Sequence, residues 1–209
     1  MRVLVTGGVR RVGGAIADAF SAAGHEVLRH GHTSDGDLRA DLRDPAQIRR
    51  MAAEAGAVDV LVNSAAAWAK VPFSQVSLEQ LDATIALNLR APFLLTQALS
   101  PSLSCVINIV DIERPETGYS HYTASKAGLV GLTRALAIEL APKVRVNAIA
   151  PGAVLMPEGV ADPVVERLRA AIPAGVLGSP GDIAAAALFL ATATYVTGHV
   201  LTVDGGLSL

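Results

Sequence analysis

Tyr122 and Lys126 are the two side chains whose types and spacing most directly suggest proton transfer. They are four residues apart in the segment Tyr-Thr-Ala-Ser-Lys, which puts both side chains on one face of a helix. A nearby ammonium stabilises a phenolate, so we expect Lys126 to lower the pKa of Tyr122 and make the phenol a proton donor near neutral pH. Asp111 ends an apolar run upstream and adds a carboxyl group. Taken alone, such a pair is also typical of an ordinary helix surface.

A glycine-rich segment near the N-terminus has the composition of a phosphate-binding loop. The first predicted strand runs into Thr6-Gly7-Gly8-Val9-Arg10-Arg11-Val12-Gly13-Gly14, and a helix pattern follows. Glycines at such a turn let the backbone approach a pyrophosphate, and the amides of the helix N-terminus bind the anion. The alternative is a glycine-rich turn without a ligand, but the position after the first strand favours the phosphate loop.

Apolar strand-like runs alternate with helix patterns along residues 1–209, and this predicts a single α/β domain with a parallel sheet and helices on both faces. Asp44 and Ser77 precede helix patterns and are predicted N-caps. Too few residues separate the second strand from Asp41 for a crossover helix, so we expect a turn or short irregular connection there. The strand candidates are residues 3–6, 26–30, 37–40, 58–63, 106–110, 144–149 and 200–203. The helix candidates are residues 12–23, 45–55, 78–99, 120–140, 164–172 and 181–192.

The composition excludes several classes of function. Hydrophobic residues make up 51% of the chain and charged residues 17%, and the net charge is −2 without a long basic run. We therefore expect neither a nucleic acid nor a membrane as a partner. The single Cys105 excludes an internal disulfide and fits a reducing compartment. The apolar stretch at 183–193 is too short to cross a bilayer and the first residues do not resemble a complete signal peptide, so we expect a soluble cytoplasmic protein.

A series of motifs in order resembles the short-chain dehydrogenase/reductase family over essentially the whole chain. The resemblance implies a doubly wound (Rossmann) parallel sheet of about seven strands that binds NAD or NADP. Arg11 stands where the family usually carries glycine, which is similar to the pteridine reductase and dihydromonapterin reductase branch. A guanidinium at this loop can neutralise phosphate charge. The motifs are Thr6-Gly7 with Arg11 and Gly13, Asn63-Ser64-Ala65-Ala66, Asn88, Tyr122 with Lys126, Pro151-Gly152, and Asp204-Gly205-Gly206.

The end of the second predicted strand indicates which cofactor is preferred. An NAD enzyme of this fold has an acidic residue there, whereas this chain has His32, Thr33 and Ser34, which offer donors to an adenosine 2′-phosphate. We therefore expect NADPH, although the similar pteridine reductases usually carry Arg where Thr33 falls. The alternatives are a polar turn with incidental histidines and, for Asp41, which resembles the family's adenine-contacting aspartate, a turn or cap. The resemblance implies these cofactor-binding residues: Gly7, Arg10, Arg11, Val12, Gly13, His32, Thr33, Ser34, Asp41, Leu42, Asn63, Ser64, Ala65, Tyr122, Lys126, Pro151 and Gly152.

The resemblance also implies the catalytic residues Asn88, Asp111, Tyr122 and Lys126. Tyr122 would donate the proton, Lys126 would lower its pKa and bind the nicotinamide ribose, and Asn88 would hold a water behind Lys126. Asp111 falls where the family usually has serine, and pteridine reductases carry a similar Val-Asp pair. A carboxyl beside an apolar ring could have a raised pKa and act as a second proton donor. The alternatives are that Asp111 disables an ancestral site or caps a turn, and the segment between Asp111 and Tyr122 is shorter than that branch suggests.

Trp68 is the only tryptophan and, beside Arg11 and Asp111, a third pointer to the substrate. It follows the fourth predicted strand, where pteridine reductases have an aromatic residue that stacks on the pterin; simple packing is the alternative. We expect Trp68, Asp111 and Tyr122 to bind the substrate, and residues 153–180 to form a substrate-binding loop. Members of this family commonly assemble into tetramers through the helices that correspond to 78–99 and 120–140, so we expect a homotetramer.

These features predict an NADPH-dependent reductase of a pterin-like substrate, such as a dihydropteridine, dihydromonapterin or dihydrofolate. Hydride would go to a ring carbon, and Tyr122 or Asp111 would protonate the adjacent nitrogen. One alternative is a carbonyl or alcohol oxidoreductase of the same family, such as a 3-oxoacyl reductase, and Asp111 in place of serine argues against it. Another is a non-catalytic nucleotide-binding protein, and the intact Tyr122, Lys126 and Asn88 argue against that.

Overall fold

The strands that the structure describes lie parallel in one sheet. The computed structural model describes residues 1–33, 35–112, 115–155 and 161–209. The strands are β1 (Arg2–Thr6), β2 (Glu26–Gly31), β3 (Leu38–Arg39), β4 (Val60–Asn63), β5 (Cys105–Ile109), β6 (Arg145–Pro151) and β7 (Val200–Val203). Their order in the sheet is β3-β2-β1-β4-β5-β6-β7. The chain thus winds outward from β1 in both directions, which confirms the doubly wound sheet of seven strands.

Helices cover both faces of this sheet. They are α1 (Arg11–Ala22), α2 (Pro45–Ala55), α3 (Leu78–Ile85), α4 (Ala91–Leu99), α5 (Ser120–Glu139), α6 (Asp162–Ala171) and α7 (Pro180–Thr192). A 3₁₀ turn spans Phe73–Gln75, and a π-helical segment, Ala86–Arg90, joins α3 to α4. Both predicted N-caps are present: Asp44 accepts from the N–H of Ala46, and Ser77 forms a reciprocal capping box with Gln80. Among the described helices, none is long and apolar enough to cross a bilayer.

Successive residues of the inner strands point to opposite faces, and this builds two separate hydrophobic layers. In β1, Leu4 packs into the layer formed with α2, α4 and α5, whereas Val3 and Val5 pack into the layer formed with α1 and α7. All three side chains are fully buried. Strands buried on both faces need no polar alternation, which explains the continuous apolar runs of the sequence. The carboxyl ends of the parallel strands lie along one edge of the sheet, where residues from several strands can form a common site.

The segment predicted as one helix over 78–99 is helical throughout but changes its hydrogen-bonding pattern. The π-helical segment Ala86–Arg90 separates α3 from α4, and Pro92 follows it in the first turn of α4. Proline has no N–H to give to the carbonyl four residues earlier, which is that of Asn88, so the ladder is interrupted there. Single π turns often occur at functional positions. Asn88 lies inside this one.

The connection between β2 and β3 contains no helix in its described residues, as the spacing predicted. Parallel strands normally need a longer crossover, and here tight contacts take its place. The Asp37 carboxylate accepts the N–H of Arg29 at 2.8 Å. A Cβ added to Gly36 would lie 2.5 Å from the carbonyl oxygen of Arg29 and 2.6 Å from the nitrogen of Gly31. Strand β3 is shorter than predicted, because only Leu38 and Arg39 pair with β2.

The close approach at Gly36 yields a stability prediction. Gly36→Ala should lower the free energy of unfolding by about 1–3 kcal/mol, because the new methyl group meets backbone atoms that cannot move independently. Gly131→Ala is the matched control: it lies within α5 with open space around it, and alanine's higher helix propensity should raise stability by up to about 1 kcal/mol. Urea unfolding measures both. Equal midpoints for Gly36→Ala and the parent would contradict the tight-loop interpretation.

Candidate functional site

The carboxyl ends of the strands open into one elongated cleft of about 690 Å³. It runs from the end of β2 and the residues after β3, past the turn after β1, to the ends of β5 and β6. Asn63 and Asn88 are buried behind the wall, with 3% and 1% of their surface exposed. Ser34 lies outside the described residues. The predicted site residues that line the cleft are Gly7, Arg10, Arg11, Val12, Gly13, His32, Thr33, Asp41, Leu42, Ser64, Ala65, Trp68, Asp111, Tyr122, Lys126, Pro151 and Gly152.

Helix α5 and strand β5 bring Tyr122, Lys126 and Asp111 together. Lys126 is buried, and its Nζ donates to the carbonyl oxygen of Ile109, at the end of β5, at 2.7 Å. The same Nζ lies 5.7 Å from the centre of the Tyr122 ring. Asp111, just after β5, faces the Tyr122 phenol and accepts the N–H of Ile112 at 2.9 Å. The carboxyl of Asp111 thus lies in the cleft beside Tyr122.

The electrostatics correct one prediction. Burial, and then the negative charge of Asp111, raise the pKa of Tyr122 above its ordinary value, so the expected lowering by Lys126 is wrong for the ligand-free protein. Burial also lowers the pKa of Lys126, to about 8, because its desolvated cation is costly. The pKa of Asp111 is raised by burial, in the predicted direction, although Tyr122 and Lys126 oppose the shift. The phenol therefore keeps its proton at neutral pH.

Asn88 uses its amide to join two walls of the cleft. Its Oδ1 accepts the N–H of Ala67 at 2.9 Å, and its Nδ2 donates to the Ala67 carbonyl at 2.9 Å and to Ser125 Oγ at 3.0 Å. The Ser125 hydroxyl in turn donates to the carbonyl of Tyr122 at 2.6 Å. Both amide hydrogens are thus occupied. The side chain of Asn88 thus positions the loop after β4 against α5, and the water-holding role of Asn88 stays a prediction.

The turn after β1 has the close backbone contacts of a phosphate loop. Gly7 has a φ of 64°, and a Cβ on Gly13 would lie 2.3 Å from the Gly7 oxygen. Arg11 has a φ of 56°, the left-handed region that favours glycine, although the residue is an arginine. Such strain persists only where the surrounding structure imposes it, often at a ligand site. Exposed guanidinium groups of Arg10 and Arg11 line the cleft here.

His30 supports this turn from below. It is buried, the Gly7 N–H donates to its Nδ1 at 3.2 Å, and its Nε2 lies 3.0 Å from the carbonyl of Ala40. This pairing requires the proton on Nε2. Burial lowers the pKa of His30, which favours the neutral ring. His30 is therefore structural, whereas the predicted cofactor-binding residues His32 and Thr33 are exposed in the cleft.

Asp41 closes a turn after β3, as one alternative proposed. Its carboxylate accepts the backbone N–H of Arg43 at 2.9 Å and forms an ion pair with the Arg43 guanidinium at 2.8 Å. The hydrogen bonds from Arg43 hold the pKa of Asp41 at about 2. Arg43 also lines the cleft and was not predicted from the sequence. A basic residue two positions after the expected aspartate was the available signal.

A row of aromatic rings leads from the protein surface to the phenol of Tyr122. The rings of Trp68 and Tyr119 stack with centroids 6.1 Å apart, and the rings of Tyr119 and Tyr122 meet edge-on at 6.4 Å. The N–H of Val71 donates to the carbonyl of Gly118 at 2.8 Å and joins the two loops that carry this row. Tyr119 was missed, although it precedes Tyr122 by about one helical turn.

The predicted substrate-binding loop, 153–180, contacts the cleft through its first described residues. Val154 and Leu155 line the cleft, residues 156–160 lie outside the described residues, and no described residue of α6 is buried. Gly152 is required where it stands, since a Cβ there would lie 2.6 Å from Asp204. Within the described ranges, no cluster of three or more His, Cys, Asp or Glu side chains could hold a metal ion.

The chain is similar to known proteins along almost its whole length. A family model described as enoyl-(acyl carrier protein) reductase matches residues 8–208. Nodulation protein G of Azospirillum brasilense is 36% identical over 189 residues, covering 85% of this chain and 77% of that protein. The 3-oxoacyl-[acyl-carrier-protein] reductase FabG of Chlamydia muridarum is 33% identical over 238 aligned positions, covering 98% and 96% of the two chains.

Among solved structures, a blue fluorescent protein from a metagenomic library in complex with NADPH superimposes with a TM-score of 0.92. It is 32% identical, and the match covers 100% of this chain and 98% of that one. The alignment with the Chlamydia muridarum reductase is longer than the 209 residues of this chain, so that relative carries insertions that this chain lacks. These comparisons do not confirm the narrower resemblance to pteridine reductases, since none of these proteins bears that name.

The buried ammonium predicts a pH-dependent stability difference. Lys126→Met should be more stable than the parent near pH 7, because the parent folds with a desolvated cation. Between pH 8 and pH 10, the unfolded lysine holds a proton that the folded one has lost, so the parent should gain up to about 2 kcal/mol relative to the variant. Urea unfolding across this range measures the difference. The exposed Lys70→Met is the control, and parallel profiles for the parent and Lys126→Met would contradict the prediction.

Proposed function

Since the chain belongs to the short-chain dehydrogenase/reductase family of NAD(P)-dependent oxidoreductases, we propose that it is an NADPH-dependent reductase. The cleft fits a dinucleotide: Gly7 and Gly13 keep the phosphate turn compact, and Arg10 and Arg11 offer cations beside it. The bound NADPH of a similar solved structure supports the cofactor. No acid stands at the end of β2, where an NAD enzyme has one. The cofactor would supply the hydride.

The protein's own groups would then handle the proton. The raised pKa of Tyr122 keeps its proton on the phenol until negative charge develops on a bound substrate. Lys126, fixed to the Ile109 carbonyl, would stabilise the resulting phenolate and bind the nicotinamide ribose. Asn88 would position both walls through Ala67 and Ser125. Pro151 and Gly152 would contact the nicotinamide at the end of β6.

For the substrate, the geometry favours a pterin-like ring, and the position of Asp111 is the observation that carries this proposal. Its carboxyl faces the Tyr122 phenol inside the cleft. A pterin edge presents N–H donors and ring nitrogens, which a carboxyl can bind or protonate. An ionised carboxylate would instead repel the oxyanion that develops on a carbonyl. Trp68 and Tyr119 add an aromatic wall for a flat ring.

A 3-oxoacyl carbonyl is the second candidate, and the comparisons favour it over the pterin. The Chlamydia muridarum relative is a 3-oxoacyl reductase, and the matching family model is described by an acyl carrier protein substrate. The raised pKa of Asp111 offers a route to this chemistry as well, since a protonated carboxyl donates a hydrogen bond as serine does. The geometry of the site thus favours a pterin-like substrate and the relatives favour a 3-oxoacyl substrate, and both would be reduced with the same cofactor.

We also propose a homotetramer located in the cytoplasm. Large apolar side chains remain exposed on α4, α5 and α7, namely Phe93, Ile138 and Phe189. Helix faces of this kind are typical of subunit contacts. A single buried Cys105 suits a reducing compartment. Sedimentation analysis tests the assembly.

Tyr122→Phe should lower turnover by a factor on the order of 10² or more, because it removes the positioned proton donor. NADPH binding should change little, since the phenol acts on the substrate. The reduction rate with saturating NADPH and the dissociation constant of NADPH together test this. Retained turnover in the variant would remove Tyr122 from the mechanism, and no turnover of any substrate by the parent would favour the non-catalytic alternative.

A substrate panel separates the two candidates. NADPH oxidation is followed with dihydrobiopterin, dihydrofolate, a 3-oxoacyl thioester and simple ketones. The parent should reduce a dihydropterin, and Asp111→Ser should lower that activity at least tenfold while keeping or raising activity on carbonyls, because a hydroxyl replaces the carboxyl. Turnover confined to the 3-oxoacyl thioester would reject the pterin proposal and support the carbonyl reductase.

A further inference from the structure

An arginine–carboxylate pair at the adenosine end of the cleft has the geometry of an oriented cation. Arg43 donates from Nε to Asp41 Oδ1 at 3.0 Å and from Nη2 to Asp41 Oδ2 at 2.8 Å. The Arg43 side chain is 49% exposed and lines the cleft. A bidentate contact of this kind fixes the plane of the guanidinium.

The backbone around this pair is held from several sides. The N–H of Asp41 donates to Gln47 Oε1 at 2.9 Å, and Gln47 Nε2 donates to Asp44, the N-cap of α2, at 3.1 Å. Arg90 Nη2 donates to the carbonyl of Arg43 at 2.6 Å. The turn is therefore anchored to α2 and to the π-helical segment. A preorganised side chain loses less entropy when a ligand binds.

This pair lies beside the residues expected at the adenosine ribose. His32 Nε2 is 3.8 Å from Oδ2 of Asp41, the same oxygen that accepts from Arg43 Nη2. His32 and Arg43 thus flank one carboxylate oxygen, and Thr33 follows His32 in the same part of the cleft. Because β2 and β3 are neighbouring parallel strands, the residues that follow both lie at the same edge of the sheet.

The remaining donors of Arg43 suit a phosphate. A guanidinium carries five N–H groups, and in the described residues its only hydrogen-bond acceptor is Asp41, bound through Nε and Nη2. The Nη1 hydrogens and one Nη2 hydrogen are left for a ligand. The acids at this end of the cleft are Asp35 and Asp41, and Arg43 already neutralises Asp41. A phosphate monoester brings nearly two further negative charges and three acceptor oxygens.

We propose that Arg43, oriented by Asp41, is the cation that binds the adenosine 2′-phosphate of NADPH together with His32 and Thr33. Arg43 would supply the positive charge that a basic residue at the position of Thr33 would otherwise supply. It would therefore be a determinant of cofactor specificity. The inference rests on the proposed use of NADPH but not on the identity of the reduced substrate. Asp41 acts in it as a positioning residue.

The test uses calorimetry on the intact protein with NADPH, NADH, 2′,5′-ADP and 5′-AMP. Arg43→Gln should raise the dissociation constants of NADPH and 2′,5′-ADP by about tenfold to a hundredfold, the usual effect of losing a charged hydrogen bond. Those of NADH and 5′-AMP, which lack the 2′-phosphate, should stay within about twofold. Arg43→Lys should give an intermediate loss, since lysine keeps the charge without the fork. Arg49→Gln, exposed on α2 and outside the cleft, is the matched control and should change none of the four.

The possible outcomes separate this inference from the proposed function. An equal loss for NADPH and NADH in Arg43→Gln would overturn it, because Arg43 would then act on a part that the two cofactors share. An undiminished preference for NADPH in the variant would also overturn it while leaving NADPH use intact. Equal binding of NADPH and NADH by the parent would overturn both. Thermal unfolding of each variant checks that the fold is retained, as expected because exposed ion pairs contribute little to stability.

Discussion

The ammonium of Lys126 is a charge held away from water, and the end of the cleft that holds Asp111 and Tyr122 is organised around it. The hydrogen bond that the structure shows for Nζ is to the Ile109 carbonyl, at the last residue of β5. Burial opposes the cation, while the nearby carboxyl of Asp111 favours it. Burial, together with the charge of Asp111, keeps the proton on Tyr122. The carboxyl of Asp111 therefore links the other two groups, and a ligand that alters its charge changes the proton affinities of both Tyr122 and Lys126.

Much of the fold could be predicted from the sequence because burial and capping leave local signals. The inner strands are apolar throughout since both faces are covered, and Asp44 and Ser77 mark helix starts where they were expected. The prediction of strand β3 was the weakest of the strand predictions, because a two-residue edge strand leaves almost no pattern in the sequence. The change to a π-helical segment before Pro92 was not foreseen, since its neighbours have ordinary helical composition. A change in hydrogen-bond register has no periodic signal of its own.

The sequence predicted which residues form the candidate site better than it predicted the pKa values of those residues. Motif order was enough to place Asp111, Tyr122 and Lys126 along one cleft. The direction of the Tyr122 pKa could not be predicted, because it depends on how deeply the phenol is buried and how closely Asp111 approaches. Tyr119 and Arg43 were missed for a similar reason: their roles come from contacts across loops, which spacing along one element does not reveal.

The connection between β2 and β3, which has no helix in its described residues, also bears on how the sheet can assemble. His30 pairs with Leu38, only eight positions further along the chain, whereas Val3 of β1 must find Val60 of β4. By simple polymer statistics, closing the shorter loop costs about 1.7 kcal/mol less entropy at room temperature. The contacts of Asp37 and Gly36 can form as soon as this segment is made. The edge of the sheet can therefore form locally, from contacts that are close in sequence. The pairing of the central strands depends on contacts that are far apart in sequence.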